Sequence, residues 1–247
     1  IMVKANEPIP YLLNDDMILG LMLSDGYLIN HEKTTGHSAF VLGQTPKRID
    51  FLNSVHDYFL TLGLKSSLRT TYTTIKGVKF PSILLTTSNN IVFDKLRNDW
   101  YPNGKKIIPK DLILNQKIIS FWYQGDGYSR YINNGQSVEI TIATDSFKKE
   151  DVDRICLQLK TRFNLNFHDW FRYKKYHTLK TYENQTTERF MNLVEPYIHP
   201  VFQYKIKHLD KFTKFKELKE SGKLYKCGSS YRLALTPNIF CKSKIPN

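Results

Sequence analysis

The sequence predicts an α+β fold in which one plan, helix, hairpin, helix, hairpin, helix, is written twice within 247 residues. Three observations carry that prediction. "ILGLMLSDG" at 18–26 and "ISFWYQGDG" at 119–127 are both apolar runs that stop on an Asp-Gly pair, and Asp126 stands 101 positions after Asp25. Each pair leads into strand-like sequence broken by a polar turn. After each hairpin, apolar side chains recur at helical spacing, so the whole pattern has the form of an internal repeat.

The elements follow in order. Met17, Ile18, Leu21 and Met22 fall at helical spacing, so the first Asp-Gly ends a helix instead of turning a hairpin, and Gly26 and Gly127 fit helix C-caps in the left-handed region. "YLINHEKTTGHSAFVLGQT" and "YSRYINNGQSVEITIATDS" read as strand, turn, strand, with turns at Thr35-Gly36 and Asn134-Gly135. Residues 46–64 place Phe51, Val55, Tyr58, Phe59 and Leu62 on one helical face, as 147–165 do Val152, Ile155, Leu159 and Phe163. Strand-like sequence returns at 66–88 and 166–184, and apolar-periodic stretches close each half at 90–101 and 187–198. "KDLILNQK" (110–117) is the expected joint, which gives repeats at 11–114 and 115–247. Beyond about residue 204 the second repeat extends as a basic helix or tail.

Composition narrows the function. With 41% hydrophobic and 13% aromatic residues the chain can bury a globular core. Lys and Arg number 36 against 23 Asp and Glu, and the net charge of +13 calls for a polyanionic partner. The apolar run Met17 to Leu23 is too short to span a membrane, and residues 1–16 hold no secretory hydrophobic region. Cys156, Cys227 and Cys241 are odd in number and form no Cys-x-x-Cys pair, against a disulfide framework or structural zinc and in favour of an intracellular protein. Only nine of the 36 basic residues are Arg, in keeping with an AT-rich genome such as an organelle's. The seven His show no metal-ligand spacing.

The two acids carry the chemistry. Each is expected at the negative end of a helix dipole, an unfavourable place for a carboxylate unless a cation compensates it. A divalent ion such as Mg²⁺, which prefers hard carboxylate oxygens and leaves positions open for water and phosphate, would do so. Ser24 and Gly125 precede the acids, and Gly20 or Ser120 lies about one turn earlier, so two such helix ends can approach closely. Paired carboxylates sharing metal with a phosphate are the parts of phosphodiester hydrolysis.

On these motifs the chain resembles the LAGLIDADG family of homing endonucleases in its single-chain form with two repeats, over roughly residues 14–210. The resemblance implies two pseudo-symmetric αββαββα repeats that form a DNA-binding saddle, with the motif helices at their interface and Mg²⁺ held by Asp25 and Asp126. Through "NGKKIIP" and "PYIHPVFQYKIK" it nominates Lys106 and Lys205 as catalytic residues, and through "FVLGQTPKR" Gln44. The equivalent of Gln44 in the second half is Asp145, which with Ser146 also reads as a helix N-cap. Phe121 and Trp122 are bulkier than the motif's usual residues and point to asymmetric helix packing.

The later hairpins interleave basic and aromatic side chains suited to a ribbon in the major groove. Arg69, Tyr72, Lys76 and Lys79 are the DNA-binding candidates of the first half. Arg130, Arg172, Lys174, Lys175, Tyr176 and Lys180 are those of the second. The expected function is a monomeric, intron-encoded endonuclease that cuts both strands of a long asymmetric double-stranded DNA site. The alternative is a maturase that acts on intron RNA with the same scaffold, and a plain DNA-binding protein is the third reading. Binding to a cognate duplex should weaken steeply with salt, with a log–log slope set by about 6–10 phosphate contacts. A salt titration of duplex affinity checks this, and a flat response refutes it.

Overall fold

Asp15 starts the first motif helix, α1 (Asp16–Leu23), by accepting the Ile18 N–H at 2.9 Å. In the computed structural model, which describes residues 10–30, 36–132, 137–172, 176–208 and scattered positions from 210 to 233, α1 is buried on every side from Ile18 to Leu23. The second motif helix, α4 (Gln116–Asp126), is capped in the same way by Asn115, which accepts from Ile118 N at 3.0 Å. The Asn115 side-chain amide also donates to Asp16 at 2.6 Å, which ties the two helix starts together.

Each motif helix runs straight into a strand. The first half continues with β1 (Gly26–Asn30), β2 (Ser38–Gln44), α2 (Ile49–Thr61), β3 (Ser66–Ile75), β4 (Val78–Thr87) and α3 (Ile91–Trp100). The second follows α4 with β5 (Gly127–Ile132), β6 (Ser137–Ala143), α5 (Lys149–Phe163), β7 (His168–Arg172), β8 (Tyr176–Thr181) and α6 (Asn184–Val194). The two antiparallel sheets share one topology, β1-β2-β4-β3 and β5-β6-β8-β7. All of this lies in one compact unit, residues 1–206. The helices cover one face of each sheet, where Phe40 meets Phe59 edge to face at 5.5 Å and Tyr123 meets Phe190 at 5.0 Å. None of the described helices is long and apolar enough to cross a membrane.

A second unit spans 207–247. It contains the hairpin β9 (Leu224–Cys227) and β10 (Ser230–Leu233), where the sequence predicts only a basic helix or tail. Much of that stretch lies outside the described residues, as do Thr35, the Asn134-Gly135 turn, Lys174 and Lys175.

Several expectations need correction. Gly127 is extended (φ −90°, ψ 153°) and Gly26 opens a strand, so neither is a left-handed cap. Their glycines answer to space. A Cβ at Gly26 would stand 2.7 Å from the Leu21 carbonyl oxygen, and one at Gly127 would run into the Tyr123 ring. Ser120 does not face α1: its hydroxyl donates to the Val194 carbonyl at 3.1 Å. The residue against Gly20 is Phe121, while Trp122 is fully buried, so small meets large across the helix pair. Lys76 is not in a strand but makes a two-residue turn with Gly77, both at positive φ (49° and 80°). Asp145-Ser146 does not occupy the N-cap of α5, which is Lys148. On α2, Leu52 is buried where Tyr58 and Leu62 are only partly so, and Phe163 is likewise partly buried on α5.

The fit at Gly20 is tight enough to test. A Cβ there would lie 2.6 Å from Phe121 Cβ and 2.7 Å from the Ile118 carbonyl oxygen. Gly20→Ala is therefore expected to lower stability by about 1–3 kcal/mol through overpacking. A urea titration reads this as a lower midpoint, and an unchanged midpoint would show that the helices can part without cost.

Candidate active site

The site grows from the way the motif helices end. The last carbonyls of a helix lack intrahelical donors and carry its partial negative charge. At the end of α1, Lys106 Nζ donates to the carbonyls of Ser24 at 3.2 Å and Gly26 at 2.7 Å. At the end of α4, Lys205 Nζ donates to those of Tyr123 at 3.2 Å, Gln124 at 2.6 Å and Gly125 at 3.1 Å. Both ammonium groups are thus built into helix termini. Lys205 closes a short 3₁₀ helix (Pro200–Lys205), and its own carbonyl accepts from the hydroxyls of Tyr123 at 2.9 Å and Ser129 at 2.6 Å. Burial lowers the pKa of each lysine to about 8, against the pull of Asp25 and Asp126.

Asp25 and Asp126 stand where helix passes into strand. Gln44, at the end of β2 and 6% exposed, donates from Nε2 to Asp25 Oδ2 at 2.7 Å. The orientation of that amide is set from behind, because Arg48 donates to Gln44 Oε1 at 2.8 Å. Arg48 is itself held by the Tyr204 hydroxyl at 3.1 Å and lies over the Phe202 ring at 4.9 Å. Sequence reasoning missed Arg48 although it stands four residues after Gln44, a distance that one turn of 3₁₀ helix (Pro46–Arg48) folds back. Burial raises the pKa of Asp126 to about 7, and the negative charge of Asp25 adds to the rise while the two lysines oppose it. Asp145 does not mirror Gln44. It is exposed in a turn after β6 and accepts from Thr178 at 3.3 Å, and its charge adds the last-ranked contribution to the rise of Asp126.

The donor set fits a hard divalent cation. Among the described residues neither Asp25 nor Asp126 forms an ion pair with a basic side chain, because the nearby lysines spend their protons on carbonyls. No cluster of three or more His, Cys, Asp or Glu gathers among those residues either. An ion here would take two carboxylates from the chain and complete its shell with water or phosphate oxygen, as Mg²⁺ commonly does.

The nominated ribbon residues divide by face. One open groove is lined by Asp25, Gln44, Arg48, Thr71, Thr73 and Leu84. Arg69 pairs with Leu84 and so shares that face, whereas Tyr72, beside Pro81, and Lys79, beside Thr74, point to the opposite one. On the second sheet Arg130 and Lys180 meet on one face at Glu139, at 2.9 and 3.5 Å. Tyr176 lies on that face of β8, opposite Arg172 of β7.

Comparison with known proteins agrees with this architecture. The sequence model described as the LAGLIDADG DNA endonuclease family matches residues 16–190. An uncharacterized protein of Methanocaldococcus jannaschii is 29% identical over 75% of this chain and 72% of its own length. A protein of Wickerhamomyces canadensis named "Probable intron-encoded endonuclease 1" is 34% identical, over 49% of this chain and 53% of its own. The cytochrome b mRNA maturase bI2 of Debaryomyces hansenii is 23% identical, over 46% and 42%. The chain therefore spans about half the length of these last two relatives. Among solved structures, the homing endonuclease I-WcaI bound to its DNA recognition sequence aligns with a TM-score of 0.69 and 26% identity, over 78% of this chain and 85% of that one.

The raised pKa of Asp126 makes a stability prediction for metal-free protein. A carboxyl whose folded pKa is about 7, against about 4 when unfolded, favours the folded state most below pH ~4, and the contribution is lost as pH rises through 7. Lys106 and Lys205, lowered to about 8, act the other way, losing their contribution as pH falls from about 10.5 through 8. In EDTA the melting temperature should fall from about pH 4.5 to 7, and Asp126→Asn should flatten that fall. Calorimetry at stepped pH reads it, and equal slopes for both proteins would refute the assignment.

Proposed function

The chain belongs to the LAGLIDADG DNA endonuclease family, and from that premise we propose that it is an intron-encoded homing endonuclease which hydrolyses both strands of a long, asymmetric double-stranded DNA site with Mg²⁺ held by Asp25 and Asp126. The observation that carries this reading is the pair of carboxylates at adjoining helix ends, unpaired with any basic side chain of the described residues while one of them is pushed towards neutrality. When bound, Mg²⁺ neutralises the two acids and lowers the pKa of a coordinated water.

The chain's own groups do the rest. Asp25 presents one oxygen to Gln44 and is thereby fixed in orientation. Arg48 keeps the Gln44 amide nitrogen towards Asp25 and brings positive charge beside the groove, where a phosphate would lie. Lys106 and Lys205, with pKa values near 8, stay largely protonated at neutral pH and offset the negative helix ends that a phosphodiester must approach. The two sheets form the proposed DNA-binding saddle, and a ribbon from each enters the major groove. We take the protein to act as a monomer, since one chain carries both acids, and to originate from an intron, as the name of one relative has it, in an organellar genome.

Similarity to a maturase supports a second reading, in which the same scaffold assists an intron RNA. Retention of both acids favours the nuclease. Selection of cleaved sequences from a randomised duplex library with Mg²⁺ should return a long asymmetric consensus, and no cleaved sequence at all would overturn the endonuclease. On the selected site, Asp25→Asn and Asp126→Asn are each expected to slow cleavage by at least about 100-fold, a loss of roughly 3 kcal/mol of barrier lowering, with duplex affinity nearly unchanged. Cleavage at close to the wild-type rate by either variant would remove that acid from the chemistry.

A further inference from the structure

The open faces of the two sheets are chemically unlike. On the first, the face that shares a groove with Asp25 carries Thr71, Thr73 and Leu84. Cross-strand pairs Thr73 with Phe80 and Ile75 with Val78 extend it to the hairpin tip. Ile75 and Val78 are each 56% exposed and Phe80 is 49% exposed. Arg69 is the one charged residue that β3 and β4 put on that side, since Lys79 faces away. An apolar, methyl-rich surface left open on a chain of charge +13 marks a contact surface. Its continuity with the carboxylate site says which contact.

The second sheet presents the opposite character. Its open face holds Tyr128, Arg130, Glu139, His168, Trp170 and Lys180. Glu139 accepts from Arg130 Nε at 2.9 Å, and Lys180 lies over Trp170 at 5.3 Å. These side chains are held ready as hydrogen-bond donors and acceptors.

Resting on the endonuclease reading above, we propose that the half-site under the first ribbon is recognised through the 5-methyl groups of thymine, covered by Thr71, Thr73, Ile75, Val78 and Phe80. The methyl of thymine is the apolar group that a major groove offers, and threonine methyls and phenyl rings are its natural partners. G·C pairs would set amino and carbonyl groups against Ile75, Val78 and Phe80, which cannot pair with them, and desolvation would disfavour that duplex. The first half-site is therefore rich in A·T pairs. The second ribbon reads by hydrogen bonds and has little dependence on methyl groups.

The test uses the full chain and its selected site, with thymines replaced by deoxyuridine in one half at a time. This removes the methyl and leaves every hydrogen-bonding group in place. Each covered methyl is worth about fourfold in affinity, so uracil throughout the first half should weaken binding about tenfold or more, with a change under about twofold for the second half. Phe80→Ala should weaken binding to the thymine duplex but not further weaken binding to the first-half uracil duplex. Equal affinity for thymine and uracil in the first half, with sequence-specific binding intact, overturns this inference alone. An equal loss on both duplexes from Phe80→Ala also overturns it, assigning Phe80 to the fold. Failure to bind any duplex specifically overturns the endonuclease reading together with it.

Discussion

The structure is organised by the close approach of two helix C-termini. Bringing two negative helix ends together is unfavourable, and placing a carboxylate on each makes it more so. The sequence meets the steric side with small residues: Gly20 lies against Phe121 and Ile118, and Gly125 against Ser24, with no room for a Cβ at either glycine. The electrostatic side falls to Lys106 and Lys205, which make four hydrogen bonds to carbonyls at the helix ends and one to the Gly26 carbonyl that opens β1, setting positive charge against the negative termini. At the far ends the bond from Asn115 to Asp16 keeps the helix starts together, so the pair is held at both extremities.

That arrangement also explains why the halves share a plan without being copies. Sheet order is the same in both, and in each the motif helix hands the chain directly to an edge strand. Away from the helix pair the constraint relaxes. Gln44 turns inward to Asp25, while Asp145 stays at the surface with Thr178. The first later hairpin has two ten-residue strands, and the second has strands of five and six residues. Divergence is greatest where the proposed DNA would differ from one half-site to the other.

Much of this was legible in the sequence, and the failures share a cause. The 101-residue repeat, the strand-helix order and the convergence of Asp25, Asp126, Lys106, Lys205 and Gln44 on one region could be anticipated from the motifs and the family they resemble. Which way a strand residue points could not. Tyr72 and Lys79 looked like groove readers beside Arg69, yet pairing register puts them on the other face, and a one-residue shift in a strand reverses every side chain. Gly26 and Gly127 were legible as necessary but for the wrong reason, since crowding by Leu21 and Tyr123 depends on tertiary approach and leaves no local signal. Arg48 was invisible because its partners, Gln44 and Tyr204, lie on separate elements.

The charges at the site only partly satisfy one another, a pattern that functional sites show more often than structural ion-pair networks do. Asp126 is driven up to about 7 and the two lysines down to about 8, so acid and bases are all displaced towards their neutral forms by the same burial. Direct Lys–Asp ion pairs would have relieved much of that tension. The lysines instead face backbone carbonyls, and the carboxylates keep oxygens free of basic partners among the described residues. A fold that spends its buried cations on backbone carbonyls leaves the two carboxylates without a bonded cation among the described residues, and a proton on Asp126 or a cationic ligand relieves the repulsion between them. Under the proposed function the same tension explains selectivity for a charged pair of visitors. A phosphodiester alone would add to the repulsion, whereas a phosphodiester arriving with a divalent cation would relieve it.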